Sequence, residues 1–116
     1  MWCEENYDGE FFIDRSVKAD LCLRIKGDSM IDAGINDCDY VFVKKVYNYE
    51  DGKIYAVRIN GDSEAVIKVL HWQDDFIVLS SSNAEYKPII ELAENVSVIG
   101  ECVGIYHAIQ LKTKGG

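Results

Sequence analysis

Lys53-Ile54-Tyr55-Ala56-Val57-Arg58-Ile59, then Asn60-Gly61, then Glu64-Ala65-Val66-Ile67-Lys68-Val69-Leu70, is the stretch whose pattern decides the fold. Two runs rich in β-branched and aromatic residues flank an Asn-Gly pair. Such runs suit a pleated, half-buried surface. Asn-Gly accepts the positive φ angles of a tight hairpin turn, so the stretch predicts two antiparallel strands. Toward the C-terminus, Gln73-Asp74-Asp75 reads as a second turn before the strand Phe76-Ile77-Val78-Leu79. Ser80 to Lys87 is polar and Pro88 closes it; a single helical turn is expected near Ile90 to Glu94. Val96 to Ile109 is β-rich, and Gly100 and Gly104 inside it predict bulges or bends.

Toward the N-terminus, Tyr40 to Val46 is a further strand, and residues 30–39, with Gly34, Asn36, Asp37 and Asp39, read as a loop. Leu21 to Lys26 alternates and meets a turn signal at Gly27-Asp28, and Phe11-Phe12-Ile13 is a short apolar run. Lys112 to Gly116 is expected to fray. The expected fold is mainly β: one domain over residues 1–116, built of several curved, mostly antiparallel sheets.

The 116 residues are 48% hydrophobic and 28% charged, the balance of an ordinary globular domain. No run of 18 apolar residues exists, and the start Met1-Trp2-Cys3-Glu4-Glu5 lacks a signal peptide's pattern. No membrane partner is therefore expected. Twelve basic against twenty acidic residues give a charge of −8, which disfavours DNA binding by this domain alone. Cys3, Cys22, Cys38 and Cys102 form no C-x-x-C pair, and His71 and His107 are isolated. A metal site is not expected, and the cysteines read as reduced thiols of a cytoplasmic protein. No cofactor signature is present.

Two residues carry candidate chemistry. Ser29, in Lys26-Gly27-Asp28-Ser29-Met30, follows a strand at a glycine turn. That place exposes the hydroxyl, and the backbone N–H groups of Asp28 and Ser29 could stabilise an oxyanion. Taken alone, the serine reads more simply as a turn cap. Lys68 lies in a strand apolar on both faces: Glu64, Val66, Lys68 and Leu70 share one side, Ala65, Ile67 and Val69 the other. Burial there would disfavour the ammonium and could yield a neutral amine able to take a serine proton. Taken alone, this lysine reads more simply as one whose head reaches water. A Ser-His-Asp triad lacks a G-x-S-x-G elbow. A Gly-Asp-Ser esterase would need an acid three residues before its histidine, where Gly104 precedes His107.

Five motifs in order, over about residues 21–106, resemble the C-terminal peptidase domain of LexA-type self-cleaving repressors, a family that includes lambda-type phage repressors and the UmuD proteins. Leu23 to Met30 resembles the nucleophile motif, and Ile35-Asn36-Asp37-Cys38-Asp39 the following loop. Ala65 to Leu70 resembles the lysine motif, Asn83-Ala84-Glu85-Tyr86-Lys87-Pro88-Ile89 the N-x-x-[FY]-x-P-I segment, and Ile99 to Ile105 the closing strand. The 39 residues from Ser29 to Lys68 suit the family. The resemblance implies Ser29 as nucleophile and Lys68 as general base of a self-cleaving peptidase, on a fold shared with signal peptidases. It also implies a homodimer, and the apolar C-terminal stretch, read as an edge strand from its place near the chain's end, is expected to form the interface with Val96, Val98, Val103 and Ile105. DNA would be bound only through an N-terminal helix-turn-helix domain absent from this chain, and a RecA-type filament would be the inducer.

The sequence departs from the pattern in two places. Cys38 stands where the family loop has glycine; a positive φ there would strain it. No Ala-Gly or Cys-Gly bond lies between Met1 and Lys26, and Ala33-Gly34 comes after the serine. The chain therefore reads as the C-terminal portion of a longer repressor. The alternatives are a dimerisation or sensor module that does not cut, a UmuD-like polymerase accessory protein, and a signal peptidase, against which the missing membrane anchor argues.

Overall fold

Apolar, β-branched and aromatic runs separated by polar turns fold into eight strands in the computed structural model, which describes residues 7–12 and 18–107. They are β1 (Tyr7–Phe12), β2 (Lys18–Arg24), β3 (Tyr40–Lys44), β4 (Ile54–Ile59), β5 (Val66–Gln73), β6 (Phe76–Ser80), β7 (Ile89–Leu92) and β8 (Val96–Tyr106). One-turn 3-10 helices occupy Ile31–Ala33 and Ala93–Asn95. Cys3, Ile13, Ile109 and the tail Lys112 to Gly116 lie outside the described residues.

The fold is mainly β, and every strand pair is antiparallel, in the order β1-β2-β3-β8-β4-β5-β6-β7. β8 joins the two halves into one hydrogen-bonded sheet. Its residues Glu101 to Tyr106 pair with β3, and Val96 to Glu101 pair with β4 on the opposite edge. The register slips opposite Ile99 and Val103, beside the two glycines, as the glycine pattern predicts. At Gly100 a Cβ would stand 2.5 Å from Lys44 O and 2.8 Å from Val43 Cγ1, so only glycine lets β8 pass β3 at this crossing.

The Asn60-Gly61 turn forms with φ of 54° and 76°, and Asp62 N donates to Ile59 O at 3.0 Å. Pairing between β4 and β5 nonetheless starts only at Val57–Val66. The exposed polar run Asp62-Ser63-Glu64 peels away, while Arg58 and Ile59 pair with β8 instead. The helical turn expected near Ile90 to Glu94 is divided. Ile89–Leu92 adds to the edge of β6, and only Ala93–Asn95 turns. A ladder of backbone hydrogen bonds there outweighs a weak local helical preference.

Two large apolar clusters hold the sheet, with a smaller one at Cys22 and Tyr40. Leu21, Leu23, Met30, Ile35, Val41, Val43, Ala56 and Ile67 form one; Tyr55, Val57, Leu70, Ile77 and Leu79 form the other. Each fully buried side chain of this kind contributes about 1.5–3 kcal/mol. Neighbouring residues of β5 divide between them, Ile67 into the first and Leu70 into the second, so this strand carries its middle residues between two cores.

Candidate active site

β2 ends at Arg24, and its extended course continues for one residue: Ile25 N donates to Asp39 O at 2.7 Å and Cys38 N to Ile25 O at 2.8 Å. Gly27 then takes a φ of 93°, which reverses the chain, and its N–H donates to Asp37 Oδ1 at 2.8 Å. Met30, 2% exposed, plugs the turn into the first core cluster. Its carbonyl accepts from Ala33 N and Ile35 N. Ser29 is thus held between a glycine reversal and a buried anchor, half-exposed beside the core. Among the described residues no hydrogen bond takes the N–H of Asp28 or Ser29 as donor.

Lys68 is on the middle of β5, half-buried, paired with Tyr55 on β4. Burial holds its ammonium below the ordinary lysine range. Ser29 and Lys68 line the same cleft of about 170 Å³. Its walls are apolar at Leu23, Ile25, Met30, Ala65, Val66 and Ile67, and charged at Arg24, Lys26 and Glu64. Two residues 39 apart in the chain are therefore brought to one concavity, Ser29 by the turn after β2 and Lys68 by β5. The hydrogen bond of Lys68 Nζ runs to Ser81 Oγ, at 2.8 Å.

Sequence reasoning did not single out Ser81. It also quoted Asn83 and Tyr86 without a role. The segment 82–86 clamps the serine turn. Asp32 N donates to Ser82 O at 2.7 Å, and Ser82 N to Met30 Sδ at 3.3 Å. Asn83 Nδ2 donates to Asp28 O at 2.9 Å, and Tyr86 Oη to Asp28 Oδ1 at 2.6 Å. The Asp28 carboxylate holds the Tyr86 phenol above its ordinary range.

Cys38 adopts a φ of 74°, the left-handed conformation that the sequence made a question of strain. Among the described residues Cys22, Cys38 and Cys102 take part in no disulfide. Asp39, 3% exposed, is satisfied by Asn36 N and by His107 Nδ1, both at 2.7 Å. His107 therefore serves the loop beside the serine turn. Among the described residues no cluster of His, Cys, Asp and Glu could hold a metal ion, and no helix is long and apolar enough to cross a membrane.

Of the residues expected at a dimer interface, Val96 and Val98 pack against the second core cluster. Val103 is half-buried and Ile105 is 36% exposed. The position of this stretch near the chain's end suggested an edge strand, but β8 lies inside the sheet order. What remains open is half an edge: among the described residues no strand pairs with the β4-facing side of residues 102–106.

The peptidase S24-like family model matches residues 2–103. The LexA repressor of Bacillus subtilis is 40% identical over 99 residues, which is 83% of this chain and 47% of that protein. The LexA repressor of Geotalea uraniireducens is 38% identical over 111 residues, 91% of this chain and 54% of that protein. That of Acetivibrio thermocellus is 40% identical over 84 residues, 72% and 38%. The chain spans about half the length of these relatives, or less. With the family model matching residues 2–103 and the Bacillus subtilis relative 40% identical over 83% of the chain, the chain belongs to the peptidase S24-like family.

Proposed function

We propose that this chain is the C-terminal regulatory domain of a LexA-like transcriptional repressor, and that it cuts its own polypeptide once with a Ser29–Lys68 dyad. One observation carries the reading: a half-buried lysine with a depressed pKa and a serine on a glycine turn share one cleft. In the reaction, Ser29 Oγ attacks the scissile carbonyl carbon and its proton passes to neutral Lys68 Nζ. The N–H groups of Asp28 and Ser29 would donate to the oxyanion. The C–N bond breaks, the leaving amine takes the proton from Lys68, and water then hydrolyses the Ser29 ester. No metal or cofactor takes part in these steps. The apolar cleft walls suit an extended peptide segment of the same protein.

The domain also pairs two repressor protomers in this reading. Ile105 and Tyr106, 36% and 54% exposed, border the open half-edge of β8, and an apolar edge favours pairing with a second copy. The pairing would be isologous and would match a palindromic operator read by a helix-turn-helix domain elsewhere in the protein. With a charge of −8, this domain is not itself the DNA-binding part. The protein works in the cytoplasm, with a RecA-type filament as inducer.

A second reading, a domain that dimerises or senses without cutting, draws on the hydrogen bond of Lys68 Nζ, which runs to Ser81 and not to Ser29. Alkaline incubation of the full-length protein separates the two. Deprotonating Lys68 should yield a single cut at a rate that rises with pH; an intact protein at every pH would leave the non-cutting module. Sedimentation at micromolar concentration tests the dimer, which a charge substitution at Ile105 should dissociate. A dimer indifferent to that change would exclude the surface.

A further inference from the structure

The lysine amine of this site has a partner that none of its expected chemistry includes. Ser81 lies just past the end of β6. Counting outward from the terminal Gln73–Phe76 pair of the β5–β6 hairpin, five residues each way reach Lys68 and Ser81. The ladder itself thus sets the hydroxyl beside the amine. Both side chains are half-buried, and Nζ donates to Ser81 Oγ at 2.8 Å. The next residues, Ser82 and Asn83, are fixed to the serine turn through Asp32 N, Met30 Sδ and Asp28 O.

We propose that Ser81 is a positioning residue for the Lys68 amine: its hydroxyl oxygen takes one Nζ–H, and its loop ties that hydroxyl to the turn bearing Ser29. This rests on the dyad reading above. A neutral lysine amine has two N–H donors and one lone pair on a stem of four rotatable bonds. With one donor held by Ser81, the stem is fixed and the lone pair is left for the Ser29 proton. The acceptor also stabilises the ammonium, because it binds the charged form more strongly than the neutral one. Ser81 therefore partly opposes the effect of burial on Lys68 while fixing the place of its nitrogen. The other charged groups of the cleft, Arg24, Lys26 and Glu64, and the neighbouring Tyr55 are common to every variant below.

The test uses the 116-residue chain and an alkyl phosphonofluoridate. Ser29 Oγ bonds to phosphorus, the P–F bond breaks, fluoride leaves, and the hydroxyl proton goes to Lys68. Labelling rates at Ser29 are read by intact mass across pH, with Ser29→Ala as the blank. Ser81→Ala should lower the alkaline plateau about tenfold, the loss expected of a misplaced base, and should move the midpoint to lower pH. Ser81→Thr, which keeps the hydroxyl, should restore both. Ser81→Ala labelling like the wild type at every pH would overturn the proposal. So would a plateau loss shared equally by Ser81→Thr with an unmoved midpoint, the mark of a packing role. Lys68→Met labelling as fast as the wild type would instead defeat the dyad reading itself.

Discussion

Substituting Gly100 by alanine should destabilise the domain by about 2 kcal/mol. An alanine in ordinary φ space usually gains about 0.4–1 kcal/mol by restricting the unfolded chain. Here the added methyl would meet Lys44 O at 2.5 Å, Lys44 C at 2.9 Å and Val43 Cγ1 at 2.8 Å. Two of those three atoms are backbone, and Val43 is fully buried, so none can yield without moving β3. Overpacking of this kind costs about 1–3 kcal/mol or more, which outweighs the entropic gain. A domain of this length changes its Tm by about 4 °C per kcal/mol, so thermal unfolding followed by circular dichroism should show a fall of about 8 °C. A Tm equal to or above that of the wild type would refute the close crossing of β8 over β3.

Three further outcomes follow from named residues. Cys38→Gly should raise Tm by about 2–4 °C, because relief of the left-handed strain, about 1–2 kcal/mol, exceeds the entropy that glycine adds to the unfolded chain; an unchanged or lower Tm would contradict the strain at φ 74°. Asp28→Asn should bring the Tyr86 phenol titration down toward the ordinary tyrosine range, read by ultraviolet difference spectra, and an unmoved midpoint would exclude the Tyr86–Asp28 bond. Burial pushes the Cys102 thiol from 9.0 up to about 11, so the folded state keeps a proton that the unfolded chain gives up. Its contribution is intact below pH 9 and lost as pH rises through about 11. Urea unfolding near pH 8 and pH 10.5 should show the wild type losing more stability than Cys102→Ala, and equal losses would contradict that burial.

The strands were legible where β-branched and aromatic runs are bounded by turn residues, as in Ile54 to Ile59 and Phe76 to Leu79, because both are local signals. Gly100 and Gly104 announced the bulges for the same reason. The order of the strands was not legible. No local pattern says that the last strand, β8, inserts between β3 and β4, so its place near the chain's end misled toward an edge. Val96 and Val98 accordingly looked available when they pack against the cluster around Tyr55. The site was legible in part. Ser29 and Lys68 stand out by their settings and by five motifs in order. Ser81 does not, since a serine in a polar stretch carries no signal by type. Its place was nevertheless fixed by the Asp74-Asp75 turn, which determines the register of β5 on β6.

The central claim is that Lys68 acts on Ser29 as a base, and Lys68→Arg tests it most directly. Arginine keeps the positive charge and the long stem but does not give up its proton in water. The full-length protein carrying Lys68→Arg, incubated at alkaline pH beside the wild type and Ser29→Ala, is read on a gel for the single cut. The account predicts that the wild type is cut at a rate rising with pH, and that both variants stay intact while retaining the wild-type fold. Cutting of Lys68→Arg at a rate near that of the wild type would contradict it.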